Sequence, residues 1–441
     1  MIIQIILLLI LVALAFFISE EWILMAVVAI VPFHFFIKEC LYPLIGEGSL
    51  FAMWKELVLM VVLGKILWQI KQRKIKVNKY YPLWLVVIAL FGIGILFLFA
   101  PNKMDALISV KSLAFPLVAF FIAAHLRFIH INQRIFTFVL SISAFLVFII
   151  AHIEQLFMPV QFGHLYRIIT QILPSGKILY TESAYTILAK NRMYGPFVGP
   201  NELGMYTALI LLYFSYVLFA LRNNWKNKVF LLVLLILGIS TLMQTYSRAS
   251  WALFLFAAFI LFVFVVRRWK PIWQFGVYVI ASVVGMVLIN KDLPEIFMAS
   301  ITGKEASAGA RKVTFEESGI KIFERPFGYG LGTVQYSSPN PRSFNTEIYW
   351  WLILGEIGIL MGLLLLAVYI LSIVKMFSYK RTERNIFTSV MPCFLIAAVC
   401  AGWASVILFD PIVQLVIWLF VGLGINLSLT KKTIWTSAPL L

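Results

Sequence analysis

Apolar runs long enough to cross a bilayer follow one another along the whole chain, and the polar residues are gathered into the gaps between them. The runs fall at 51–70, 82–100, 112–126, 135–153, 203–221, 229–246, 249–266, 271–290, 348–374, 386–409 and 411–428. Most approach the roughly 20 residues that a transmembrane helix needs. Two more, 2–18 and 22–37, are separated only by Ser19, Glu20 and Glu21, so they either cross separately or form a shorter hairpin. The first of them lacks a basic leader and a small-residue cleavage site, and it reads as a retained membrane segment. The pattern predicts an all-α polytopic membrane protein of about 12–13 transmembrane helices.

Composition agrees with the pattern. Of the residues, 62% are hydrophobic and only 12% are charged, more apolar surface than a soluble domain could hide from water. The formal charge of +17 raises the question of nucleic acid. Its placement answers it: the basic clusters at 71–79, 127–134, 222–228, 267–270, 375–384 and 431–432 each fall in or beside a short gap, alternating with gaps poorer in Lys and Arg. That alternation is the positive-inside pattern of a membrane protein, so no nucleic-acid partner is expected. Cys40, Cys393, Cys400 and the five histidines have no metal-ligand spacing, and neither a metal nor another cofactor is expected.

With the basic gaps on the cytoplasmic side, five regions emerge: an N-terminal bundle (1–153), a first outer loop (154–202), central helices (203–290), a second outer loop (291–347) and C-terminal helices (348–441). Loops of this length in a compact bundle are usually functional or disordered, and their aromatics and Gly-Pro turns favour function. The second is expected to contain an amphipathic helix on which Arg311, Phe315 and Ile322 share a face, lying along the membrane surface and stopped by Pro326. Gly328, Gly330 and Gly332 then form a permissive turn. No strand precedes them, so they are not read as a dinucleotide site.

Arg248 stands between two apolar runs with no acid within fifteen residues on either side. A guanidinium at a bilayer boundary must be paired, hydrated or bound by a ligand. Arg192 lies in the first outer loop, in NRMYGPFVGPNELG, which ends with Asn201 and Glu202 opening the next apolar helix. Asn201 is a natural helix cap. In FNTEIYWWLILGEIGILMG, Asn345 and Glu347 stand at the outer mouth of a long helix, Trp350 and Trp351 read as an interfacial belt, and Gly358 with Gly362 as a helix-packing spacing. Glu356 reads first as a buried carboxylate bonded within the bundle. Lys65 and Glu356 read as the main deep charges, too few for a transporter or lipid flippase, which is the rival of another class.

Four of these pieces, in order, resemble the O-antigen ligase and O-antigen polymerase superfamily of bacterial envelope glycan assembly. They are R-x-x-G-P-F-x-x-P-N at 192–201, Ser247-Arg248 opening an apolar helix, Arg311 before Pro326 and GYGLG, and Glu347 before Glu356-x-Gly358. The resemblance covers 190–375. It implies a metal-independent integral-membrane glycosyltransferase of the GT-C type in the bacterial cytoplasmic membrane, acting on its periplasmic or extracellular side on undecaprenyl-diphosphate-linked glycans. It implies that Arg192, Arg248 and Arg311 engage the diphosphate, Arg248 and Arg311 also serving catalysis. Ligases of the family usually carry His at the place of Glu347, so this chain resembles the polymerase type more, with a ligase as the alternative. Glu347 would be the base for the acceptor hydroxyl; Tyr246, Asn345 and Asn201 would line the sugar path. The partners expected are the lipid-linked donor and acceptor, membrane lipids, a flippase and a chain-length regulator.

Overall fold

The structure, a computed structural model, describes residues 2–45, 51–75, 81–126, 133–157, 162, 165, 169–172, 178–180, 192–220, 225–267, 269–289, 306–334, 344, 346, 348–379, 385–403, 405, 408 and 410–430. In chain order the helices are α1 (Ile2–Phe17), α2 (Glu20–Ile30), α3 (His34–Ile45), α4 (Trp54–Lys71), α5 (Tyr81–Leu98), α6 (Lys103–His125) and α7 (Gln133–Phe157). After them come α8 (Pro200–Ala220), α9 (Trp225–Gln244), α10 (Arg248–Ile260), α11 (Trp269–Ile289), α12 (Ala306–Glu324), α13 (Tyr349–Phe377), α14 (Ile386–Ala401) and α15 (Pro411–Thr430). The chain is therefore helical, as its apolar runs predict. One departure from an all-α chain is a small antiparallel hairpin in the first long loop, Ile169–Ile172 against Ile178–Tyr180.

Seven helical stretches among the described residues are long and apolar enough to span a membrane, and four shorter apolar helices accompany them. The chain is a multi-pass membrane protein by this measure. The N-terminal ambiguity resolves into two helices broken at Ser19, the second running on through α2, a short 3-10 turn and α3. Helix α4 carries Lys55, Glu56, Lys65 and Lys71, and none of the seven stretches includes it.

The chain packs as two units. Described residues up to 75 and from 126 to 251 form the first; those from 81 to 125 and from 252 to 430 form the second. In the first, α8 is buried nearly all round, including its polar Thr207 and Ser215, as a helix at the centre of the bundle. It packs on α9, and α7 packs on α9 and α2. Charges enter this bundle in pairs: Lys55 Nζ lies 3.0 Å from Glu56 Oε1, and Trp54 Nε1 donates to His34 Nδ1 at 2.9 Å, all four residues being buried. Lys65 donates to the carbonyls of Ala15 and Ile18 at the end of α1, and lies 3.5 Å from Glu20. Glu21, Glu39 and Glu154 are buried in this unit as well.

In the second unit α6 and α15 form the closest pair. Gly422 meets the Phe120 carbonyl where a Cβ would leave only 2.6 Å, and Asn426 Nδ2 donates to Ala123 O at 2.9 Å. Helix α13 packs on α5, α12, α14 and α15. Trp350 corrects the expected interfacial belt. It is buried, its Nε1 donating to Val399 O at 2.9 Å, because the first turn of α13 is enclosed by the end of α14 rather than facing headgroups. Helix α12 ends at Glu324, just before Pro326 as expected. Its Ile322 is buried with Val334 and Phe344, Phe315 lies against Trp351, and Ile320 and Phe323 remain exposed.

Candidate functional site

The R-x-x-G-P-F segment is held at both ends of the first unit's helices. At the end of α7, the buried Glu154 accepts from the backbone N–H groups of Tyr194 (3.4 Å) and Gly195 (3.2 Å). Gly195 has φ +53°, and a Cβ there would come within 2.8 Å of Ala151 Cβ. Only glycine reaches this conformation cheaply at that distance. At the end of α9, Met193 N donates to Gln244 O at 3.0 Å. Tyr194 packs against Phe162, with Phe35 and Phe36 of α3 beside them. Burial, then the adjacent Glu154 carboxylate, pushes the Tyr194 phenol above its ordinary pKa, so it stays neutral.

This clamp delivers Arg192 to one place. Its Nε donates to Thr245 O at 2.8 Å and its Nη2 to Asn201 Oδ1 at 3.0 Å. Thr245 begins the tight turn between α9 and α10, in which Tyr246 adopts φ +50°, an uncommon conformation for a side chain of that bulk. Ser247 follows, its hydroxyl 2.9 Å from that of Ser250, and Arg248 is the first residue of α10. Small residues let the two helices meet: a Cβ on Gly204 would lie 2.8 Å from Ser250 Oγ. Four of the seven sequence-predicted site residues, Arg192, Asn201, Tyr246 and Arg248, thus converge where α8 and α10 begin. Two arginines and two helix N-termini favour an anion at this corner, against the single carboxylate of Glu202 in the first turn of α8. Asn201 is the second residue of α8, past the cap position expected for it, and its side-chain oxygen accepts from Arg192 instead.

The other three belong to the second unit. Arg311 lies in α12, its side chain outside the described residues, as are Asn345 and Glu347 altogether. What the structure does describe is the glycine turn that lies between them in the chain. Gly328, Gly330 and Gly332 all have positive φ, and the turn sits in a break of α13 at Gly358, φ +80°. Tyr329 N donates to Gly355 O (2.6 Å), Gly330 N to Glu356 O (3.2 Å) and Gly332 N to Glu356 Oε1 (3.2 Å), while Ile359 N donates to Pro326 O (2.8 Å). Those N–H groups are committed to α13, so the turn is not a phosphate cradle. Gly358 is likewise not a helix-packing surface, as its spacing from Gly362 suggests. It breaks the helix to admit a loop.

Sequence reasoning missed Glu154 as a site-forming residue. Its signal is a carboxylate at the end of an apolar run. The Lys55, Glu56 and His34 group was missed too. Among the described residues no three His, Cys, Asp or Glu side chains gather as a metal site. No protein-family model matches this sequence, and no curated protein matches it.

Proposed function

We propose that the chain is a polysaccharide polymerase with a GT-C-type bundle of about 12–13 spans, the number that bilayer-crossing lengths suggest. It moves a growing glycan from undecaprenyl diphosphate onto a lipid-linked repeat unit at the outer face of the bacterial cytoplasmic membrane. The observation that carries this reading is the convergence of Arg192 and Arg248 at the starts of α8 and α10. The distribution of basic gaps assigns that corner to the outer side, at headgroup depth, where a lipid diphosphate presents its charge.

The two arginines have different work. Arg192 uses Nε and Nη2 to join Thr245 and Asn201, so it builds the corner and lends it charge. Arg248, at the head of α10, is assigned to the diphosphate itself. Guanidinium forks match phosphate oxygens and stay charged at every relevant pH. Negative charge grows on the leaving diphosphate during transfer, and a fixed cation stabilises it most at that moment. The resemblance gives Arg311 a share of this task and gives Glu347 the acceptor's proton.

The test is elongation of purified undecaprenyl-diphosphate repeat unit in EDTA by the reconstituted protein, with Arg248→Ala and Glu347→Gln beside it. A lipid-linked ladder from wild type is expected, with Arg248→Ala slower by roughly a hundred- to a thousandfold and Glu347→Gln inactive. If wild type makes no ladder from its native repeat unit, the polymerase reading fails. Product only with an added acceptor identifies a ligase, and movement of intact lipid across the bilayer a flippase.

A further inference from the structure

We propose that Glu356 is a positioning residue for this reaction, the latch that holds the 326–332 turn in the break of α13. The assignment of a reaction rests on the polymerase reading; the latch rests on geometry alone. Glu356 is fully buried. Its Oε1 accepts from Ser109 Oγ of α6 at 2.9 Å and from Gly332 N at 3.2 Å. One carboxylate oxygen thus joins three parts of the second unit: the α6 helix, the glycine turn and α13.

The fit around it leaves no slack. A Cβ on Gly332 would come within 2.5 Å of the Asp105 carbonyl carbon, one on Gly328 within 2.7 Å of Gly358 N, and one on Gly358 within 2.6 Å of the Phe327 carbonyl carbon. These are backbone atoms, which cannot rotate away. At the break, Tyr329 and Gly330 supply donors and Pro326 an acceptor to groups that an unbroken helix would pair within itself. The turn therefore has one seat, and Glu356 binds its far end there.

The seat matters because of what lies on either side of it in the chain. The turn is the direct continuation of α12, which carries Arg311, and α13 begins two residues after Glu347. Holding the turn in α13 fixes how α12 leaves that helix. Ile322 of α12, Val334 beyond the turn and Phe344 before α13 pack into one small core that depends on the same seat. Glu356 acts on the chemistry through this placement, without touching substrate.

The experiment pairs amide hydrogen exchange with elongation kinetics on the full chain in nanodiscs, for wild type, Glu356→Gln, Glu356→Leu and Ser109→Ala. Glu356→Leu removes the acceptor, so exchange across 329–332 is expected to rise roughly ten- to a hundredfold, with a matching fall in kcat and little change in KM. Glu356→Gln keeps an acceptor oxygen and should restore both readouts to within about threefold of wild type. Ser109→Ala removes one donor and keeps the fold, and should move both in the same direction by a smaller factor.

Unchanged exchange in Glu356→Leu and Ser109→Ala would overturn the latch. Faster exchange with undiminished elongation would overturn its positioning role. If wild type elongates nothing, it is the polymerase reading that fails, and the positioning role falls with it; the exchange series still decides whether the latch exists.

Discussion

Gly195→Ala is the sharpest probe of how the arginine loop is seated. Two costs are separable in the structure. The first is conformational: an L-residue at φ +53° is disfavoured by roughly 1–2 kcal/mol. The second is steric. The new Cβ would sit 2.8 Å from Ala151 Cβ and 3.2 Å from its Cα, well inside the roughly 3.5–4.0 Å at which carbon atoms rest. Ala151 lies in α7 and cannot rotate clear, so overpacking adds about 1–3 kcal/mol. The sum is about 2–5 kcal/mol. Ala151→Gly removes the 2.8 Å contact and leaves the 3.2 Å approach to Cα, so it relieves most of the steric cost, at its own helix penalty of roughly 0.5–1 kcal/mol. Unfolding in mixed micelles, followed by tryptophan fluorescence as the denaturing detergent fraction rises, gives all four corners of the cycle. The double variant should show a favourable coupling of about 1–3 kcal/mol and still fall short of wild type by the conformational cost, the helix penalty and what remains of the steric cost. Coupling under about 0.5 kcal/mol would refute the packing argument, and with it the claim that α7 sets the position of Arg192.

Three further outcomes follow from hydrogen bonds and close approaches. Glu154→Leu strands the N–H groups of Tyr194 and Gly195 and should cost about 2–4 kcal/mol, whereas Glu154→Gln should cost less than half as much; the same unfolding assay checks both. Gly358→Ala must displace the Phe327 backbone and should destabilise by at least about 3 kcal/mol, while Gly362→Ala meets chiefly the movable end of the Leu354 side chain and should cost under about 1 kcal/mol. Trp350→Phe loses the bond to Val399 O and should lower stability by about 1 kcal/mol, measured against Trp351→Phe as a partly exposed comparison.

The helical architecture was legible because hydropathy reports directly on what a bilayer requires of a backbone. The arginine corner was half legible. Arg248 announces itself as a charge with no acid nearby in sequence, Arg192 as an arginine just ahead of a Gly-Pro turn in an outer loop, and Asn201 as a polar residue opening an apolar helix. What the sequence does not disclose is the means of their meeting. The bond from Arg192 to Thr245 joins residues 53 apart, and the clamp from Glu154 to Gly195 joins residues 41 apart. Local periodicity is blind at that range. Two readings erred for a related reason. Gly358 and Gly362 have the spacing of a packing face in any straight helix, and nothing local says that the helix breaks. Trp350 opens an apolar run, where interfacial tryptophans gather, but the end of α14 closes over it.

The break in α13 also bears on how the protein is made. Residues 326–332 leave the ribosome before 355–359, so the turn exists before the helix that receives it. Until the two meet, a broken α13 would leave backbone groups of Gly355, Glu356 and Ile359 without their partners, at several kcal/mol each in hydrocarbon. An isolated peptide of 349–377 should therefore enter a bilayer as an uninterrupted helix, since Gly358 accepts helical angles as readily as its present ones. The break is then acquired late, when the preceding loop returns and exchanges its hydrogen bonds for the helix's own. In biogenesis α13 is not a self-sufficient insertion unit in its final form: its shape is completed by a segment synthesised before it.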